Sequence, residues 1–223
     1  PMHSACGRYV IAFNGEIYNH LELRQELELA GGVVPWCGHS DTETLLVCFV
    51  AWGVRETLTR TVGMFAIALW DRAERRLHLA RDRFGEKPLY YGWSRGAFVF
   101  GSELKALRRY SGFDNPVDRD VVSLYLQFCY VPAPYAIYRQ LYELEPGCLL
   151  SLSLADAAST PAEALLAAHG VRTLVFSSSA TVYGVPREVR IREDFSLQPE
   201  NPYGRTKLMV EQVLRDLAAS QPG

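Results

Sequence analysis

Along the chain, apolar positions come first in short alternating or near-continuous bursts and then, past residue 160, at helical spacing. Arg8–Asn14 carries the Tyr, Val, Ile and Phe of a buried strand, and Gly15 reads as the turn that follows it. Leu21–Ala30 reads as a helix with Leu23 and Leu27 on one face, stopped by Gly31-Gly32. Ser40, three residues before Glu43, has the spacing of a capping box and opens a second helix, with Gly53 just past its end. Met64–Trp70, Leu77–Arg81, Leu89–Gly92 and Ala97–Phe100 read as successive antiparallel strands, because the segments between them (71–75, 84–88 and 94–96) carry turn residues. Ser102 opens a short helix to about Arg109, and Asp118–Phe128 forms another.

The rhythm changes near residue 155. An Ala-rich run follows Leu154, so a junction is expected between Leu150 and Pro161, with domains over 1–153 and 162–223 and a connector at 154–161. Beyond it, 161–168 reads as a helix, Arg172–Phe176 as a short buried strand, and 202–219 as a last helix opened by Asn201-Pro202. Leu208, Val213, Leu214 and Leu217 form the apolar stripe of that helix. A strand between two helices predicts a parallel-sheet unit, unlike the hairpins before it.

Composition narrows the function classes. With 223 residues, 23 Lys plus Arg against 25 Asp plus Glu and a net charge of −2, the chain lacks the basic excess that grips nucleic acid or an acidic membrane. No run of apolar residues is long enough for a membrane span, and the opening Pro-Met-His-Ser has no secretory pattern. Five widely spaced cysteines (Cys6, Cys37, Cys48, Cys129 and Cys148) form no Cys-x-x-Cys pair, so neither a metal site nor a disulfide framework is expected, and a cytoplasmic setting is.

The chemistry of the first part centres on Asn14-Gly15-Glu16 at a strand end. An Asn side-chain amide beside a glycine N–H is a donor pair suited to an oxyanion, and Glu16 with Asp41 could receive an ammonium group. The plainer reading of the same residues is a turn, with Ser40 and Asp41 as helix caps. Phe13-Asn14-Gly15-Glu16-Ile17-Tyr18-Asn19-His20, Ser40-Asp41-Thr42-Glu43, Gly63-Met64-Phe65-Ala66, the run from Ala80 to Tyr91 (ARDRFGEKPLYY) and Ser102-Glu103-Leu104-Lys105-Ala106-Leu107 occur in one order. Together they resemble the glutaminase domain of the glutamine-hydrolysing asparagine synthetase family over about residues 1–153.

That resemblance implies an N-terminal-nucleophile hydrolase fold, two antiparallel sheets stacked between helices, which takes glutamine as substrate and needs no cofactor. It implies an oxyanion hole at Asn14 and Gly15, and Glu16 and Asp41 as holders of the glutamine amino group. The family uses an N-terminal Cys whose own amine is the base for its thiol. Pro1 is first here, so the resemblance implies a glutaminase domain lacking its N-terminal start and inactive alone. Cys6-Gly7 imitates the family's opening pair, but Cys6 lies only eight residues before Asn14 and five residues precede it, so it is expected to be a buried or edge thiol. An N-terminal proline can itself serve as the base of a tautomerase, but no apolar strand follows Pro1 directly.

In the second part Tyr203 and Lys207 lie four apart on a predicted helix, so the ammonium can lower the phenol pKa and make it a proton carrier. With the run Leu174–Gly184 (LVFSSSATVYG) and Asn201–Leu208 (NPYGRTKL), the segment resembles UDP-glucose 4-epimerase, an extended short-chain dehydrogenase/reductase, over about 162–223. The resemblance implies Tyr203 as acid/base, Lys207 tuning it, both against bound NAD with Ser177, and Ser179 and Thr181 toward a UDP-sugar. The Gly-rich turn that would cradle NAD occurs nowhere in the sequence. The expected class is thus α+β, truncated stacked antiparallel sheets followed by an α/β Rossmann-like fragment. Function is expected to be that of a glutamine amidotransferase fragment, with an epimerase fragment and a non-catalytic chimeric remnant as the other two readings.

Overall fold

The computed structural model describes residues 1–30 and 36–153. Among them are strands β1 (Met2–His3), β2 (Tyr9–Ile17), β3 (Gly63–Asp71), β4 (Arg76–Arg81), β5 (Tyr90–Ser94), β6 (Ala97–Gly101), β7 (Leu141–Glu143) and β8 (Leu149–Ser153). The helices are α1 (His20–Leu29), α2 (Asp41–Trp52), α3 (Val54–Arg60), α4 (Leu104–Leu107) and α5 (Arg119–Phe128). Gly31-Gly32, the junction at 154–161 and every element read beyond it lie outside the described residues.

The strands form two antiparallel sheets, one in the order β1-β2-β3-β4-β8 and one in the order β6-β5-β7. Side-chain alternation along β3 explains how they stack. Phe65, Ile67 and Leu69 face α1 and α2, packing with Ile11, Ile17, Leu23, Leu27, Leu45 and Phe49. Ala66 and Ala68 point the other way, where Leu79, Leu150 and Leu152 of the same sheet meet Tyr91 of the smaller one, with Leu89 and Leu144. Small alanines at these positions let the two sheets approach. A third cluster, Leu107, Ala136 and Leu141 with Tyr90 and Val99, covers the outer face of the smaller sheet. The stacked antiparallel sheets with a helical layer are the architecture that the sequence resemblance implies.

Three local expectations need correction. Gly15 is not a turn residue: β2 runs straight through it to Ile17, opposite Phe65. Glycine is required there by close approach, since a Cβ would stand 2.1 Å from the Met64 carbonyl oxygen. Second, β4 and β5 are not a hairpin; they belong to different sheets, and the connector between them carries the chain from one layer to the other. Third, Cys6 is exposed, on the turn between β1 and β2, where its Sγ lies 3.4 Å from Ser4 Oγ and that contact pulls its pKa down. α3, β7 and β8 were not foreseen as separate elements. No described helix is long and apolar enough to cross a membrane.

Candidate functional site

The corner where β2 meets α2 is built by the hydrogen-bond parity of the sheet. Phe65 N–H donates to Asp82 Oδ2 (3.2 Å) and its carbonyl accepts from Asp82 N–H (2.9 Å), so both polar groups of Phe65 point away from β2. Gly15, its partner across the ladder, is therefore in a non-hydrogen-bonded pair, and its own N–H points to the opposite edge. Ile17 has the same parity, and its N–H does leave on that edge, donating to Asp41 Oδ2 (3.0 Å). β1 covers this edge only at Val10 and Ile11. From Ala12 onward no described strand pairs with it, and the Gly15 N–H is presented at an open edge.

Asn14 and Glu16, of the other parity, project from the sheet face that carries Ala66, and both are exposed. Asn14 Nδ2 donates to Ser102 Oγ (3.0 Å), a residue just past β6 of the smaller sheet. The Glu16 main chain belongs to the ladder with Met64, and its carboxylate has no hydrogen-bond or ion-pair partner among the described residues. Tyr18 lies close by: desolvation pushes its phenol up, and the carboxylates of Glu86, Glu16 and Asp82 add to the rise.

Asp41 arrives at the same corner as the first residue of α2. Ser40 caps that helix, its Oγ accepting from Glu43 N–H (3.2 Å), while the Asp41 carboxylate ties the helix to β2 through Ile17 and closes on Thr42 N–H (2.7 Å) and Thr42 Oγ1 (3.2 Å). Three acceptor directions are used and about one remains for a ligand. Arg24, buried on α1, fixes this start of α2. It donates to Thr44 Oγ1 (2.8 Å), to the Gly38 and Ser40 carbonyls (3.0 and 3.2 Å) and to Glu43 (3.2 Å), and lies 4.0 Å from the Trp36 ring centre. The cap and the tether to β2 are both real.

The connector after β4 supports the corner from behind. Asp82, fully buried, accepts four backbone N–H groups: Phe65 on Oδ2 (3.2 Å), Lys87 on Oδ2 (3.0 Å), and Phe84 and Glu86 on Oδ1 (3.0 Å each). Arg81 spends its guanidinium on the carbonyls of Lys87 (2.9 Å), Gly85 (2.8 Å) and Leu144 (2.6 Å) and on Glu143 (2.9 Å). Burial pushes the Glu143 carboxyl up, against the pull of Arg81. A 530 Å3 cavity opens above this ion pair, lined by Phe84, Tyr90, Tyr125 and Tyr130 among others, and none of Asn14, Gly15, Glu16 or Asp41 lines it.

A model of the glutamine amidotransferase domain matches residues 1–162. The chain belongs to the glutamine amidotransferase domain family. It is similar to a putative glutamine-hydrolyzing asparagine synthetase of Mycobacterium bovis, 44% identical over 147 residues, 65% of this chain and 22% of that protein. The chain therefore spans less than a quarter of the length of the first curated relatives it matches. It also resembles the solved glutamine phosphoribosylpyrophosphate amidotransferase from B. subtilis, with 25% identity, a TM-score of 0.47, and coverage of 69% of this chain and 29% of that one. Toward the C-terminus a model of the NAD dependent epimerase/dehydratase family matches residues 138–223. There the chain is 64% identical over 58 residues to UDP-glucose 4-epimerase of Dictyostelium discoideum, 26% of this chain and 17% of that protein.

Of the site residues read from the amidotransferase part, Asn14, Gly15, Glu16 and Asp41 come together at one corner. Ser177, Ser179, Thr181, Tyr203 and Lys207 lie outside the described residues. Sequence reading missed the roles of Ser102 and Asp82, although both stand inside quoted motifs. It also missed Arg24, which nothing in its sequence context marks as buried.

Proposed function

We propose that the β2–α2 corner binds L-glutamine and that the chain is the glutamine-hydrolysing part of a synthetase of the asparagine synthetase type. The observation that carries this is the open-edge N–H of Gly15 next to the Asn14 amide, flanked by the Glu16 carboxylate, which has no partner among the described residues, and by Asp41. Were a thiol to add to the γ-carboxamide carbon, charge would develop on the carbonyl oxygen, and N–H donors held in place on neighbouring residues would stabilise it without reorganising. Ammonia would then leave with the thiol's proton, and water would release glutamate from the thioester, so the chain is expected to bind glutamine and not to turn it over unless that thiol is supplied. Glu16 and Asp41 act at the other end of the substrate, where two carboxylates favour an α-ammonium over a neutral amide. Neither Cys6, on the turn at the far end of β2, nor Cys48, on the buried face of α2, stands at this corner.

Calorimetric titration of the full chain with L-glutamine tests the reading, with Glu16→Gln as the variant because the Glu16 carboxylate has no hydrogen-bond or ion-pair partner among the described residues. Binding weakened about tenfold by that change, in line with one charge-assisted contact, is the expected result. Absence of L-glutamine binding, or binding indifferent to Glu16, overturns it.

The second reading concerns the segment that matches the epimerase family. We propose domains over 1–153 and 162–223 joined by 154–161, with 162–223 a piece of an NAD-dependent UDP-glucose 4-epimerase in which Tyr203 and Lys207 would serve proton transfer, with Ser177, Ser179 and Thr181 toward cofactor and sugar. High identity over a short stretch supports its origin. Because the sequence has no Gly-rich turn, NAD is expected not to bind, and NADH fluorescence enhanced by the full chain would contradict this. The cysteine pattern and the charge balance support a cytoplasmic setting without nucleic-acid or membrane partners.

A further inference from the structure

We propose that Ser102 is the positioning residue that holds the Asn14 carboxamide at the β2 corner, so that its amide N–H stays available to the substrate; this rests on the glutamine-binding reading above. An Asn side chain turns about its last torsion at little steric cost, so an exposed carboxamide keeps one direction only where a partner holds it. Asn14 is exposed, so packing does not hold it.

Ser102 does. Its Oγ lies 3.0 Å from Asn14 Nδ2 and accepts one of the two amide protons, leaving the second for a ligand. Among the described residues it is the hydrogen-bond partner of the Asn14 side chain. The serine is itself held from both sides. Gly101 before it pairs with Tyr90 in the smaller sheet, and α4 after it is anchored by Leu107, 4% exposed in the third cluster. The contact spans 88 residues of sequence and joins the two sheets, so sheet packing is transmitted to the orientation of one amide. Ser102 acts through Asn14 and is not placed against substrate.

The test uses the full chain and its Ser102→Ala and Ser102→Thr variants, with L-glutamate as probe because its γ-carboxylate brings an anionic oxygen to the oxyanion position. The Asn14 side-chain amide protons are followed by 15N NMR, assigned by their loss in Asn14→Asp. The expected result in the parent chain is a downfield shift of one Nδ2 proton on binding. In Ser102→Ala that shift collapses and L-glutamate binds about tenfold more weakly, a part of the ~100-fold that loss of a whole oxyanion donor costs. Ser102→Thr, which keeps the acceptor oxygen, restores both. Unchanged shift and affinity in Ser102→Ala overturn the role of Ser102 alone, and failure of Thr to restore them assigns the loss to packing and overturns it too. If neither L-glutamine nor L-glutamate binds the parent chain, the glutamine-binding reading falls and this proposal with it.

Discussion

Replacing Asp82 by Asn removes one negative charge and changes almost no volume, which isolates what the carboxylate does. Its two oxygens accept four backbone N–H groups from a fully buried position. An amide has one acceptor oxygen, so whichever way it turns, two of the four donors meet an NH2 group. Hydrogen bonds to charged groups contribute ~1.5–3 kcal/mol each, so two lost bonds cost about 3–6 kcal/mol before the cheaper burial of a neutral group offsets part of it. A net loss of about 3 kcal/mol is expected. Urea unfolding followed by tryptophan fluorescence reads it as a lower midpoint with an unchanged slope. Hydrogen exchange should locate it at the amides of Phe65, Phe84, Glu86 and Lys87. A loss below ~1 kcal/mol, the scale of a single neutral hydrogen bond, would refute the reasoning that Asp82 organises the crossover.

Gly15→Ala puts a methyl carbon 2.1 Å from the Met64 carbonyl oxygen and 2.7 Å from the Phe65 Cα, both main chain, so the variant should lose more than ~2 kcal/mol in the same unfolding assay. Asp71 would be raised by its burial, but Arg8 (2.7 Å) and the N–H groups of Glu74 and Ala73 outweigh that and hold its pKa below the usual carboxylate range. A depressed folded pKa contributes stability above the unfolded value of ~3.9 and loses it as pH falls toward the folded one. Arg8→Gln should therefore destabilise more at pH 7 than at pH 3, and equal losses at the two would contradict the assignment.

Much of the sheet framework was legible because β2, β3 and β4 carry period-two patterns, with Phe65, Ile67 and Leu69 alternating against alanines. Gly15 was misread because a glycine marks a turn and a close main-chain approach with the same letter. Only the register with Met64 and Phe65 distinguishes them. The β4–β5 crossover was misread for a related reason. Its turn residues are genuine, but Asp82 draws their N–H groups inward, and composition does not say to which sheet the next strand belongs. α3 escaped notice since its short, mostly polar run places only Thr57 inside. At the site, the local group Asn14-Gly15-Glu16 was readable as donors and acceptor. The Asn14–Ser102 contact and the Arg24 hub were not, because they join residues 88 and 14 to 20 positions apart through tertiary packing.

The most direct measurement is the 15N–1H resonance of the Gly15 backbone amide in the full chain as L-glutamine is added. The open-edge geometry predicts that this signal moves downfield in a saturable way, with Asn14 and Glu16 following and D-glutamine giving a weaker response. A Gly15 amide that stays fixed while glutamine saturates another part of the chain would contradict the account.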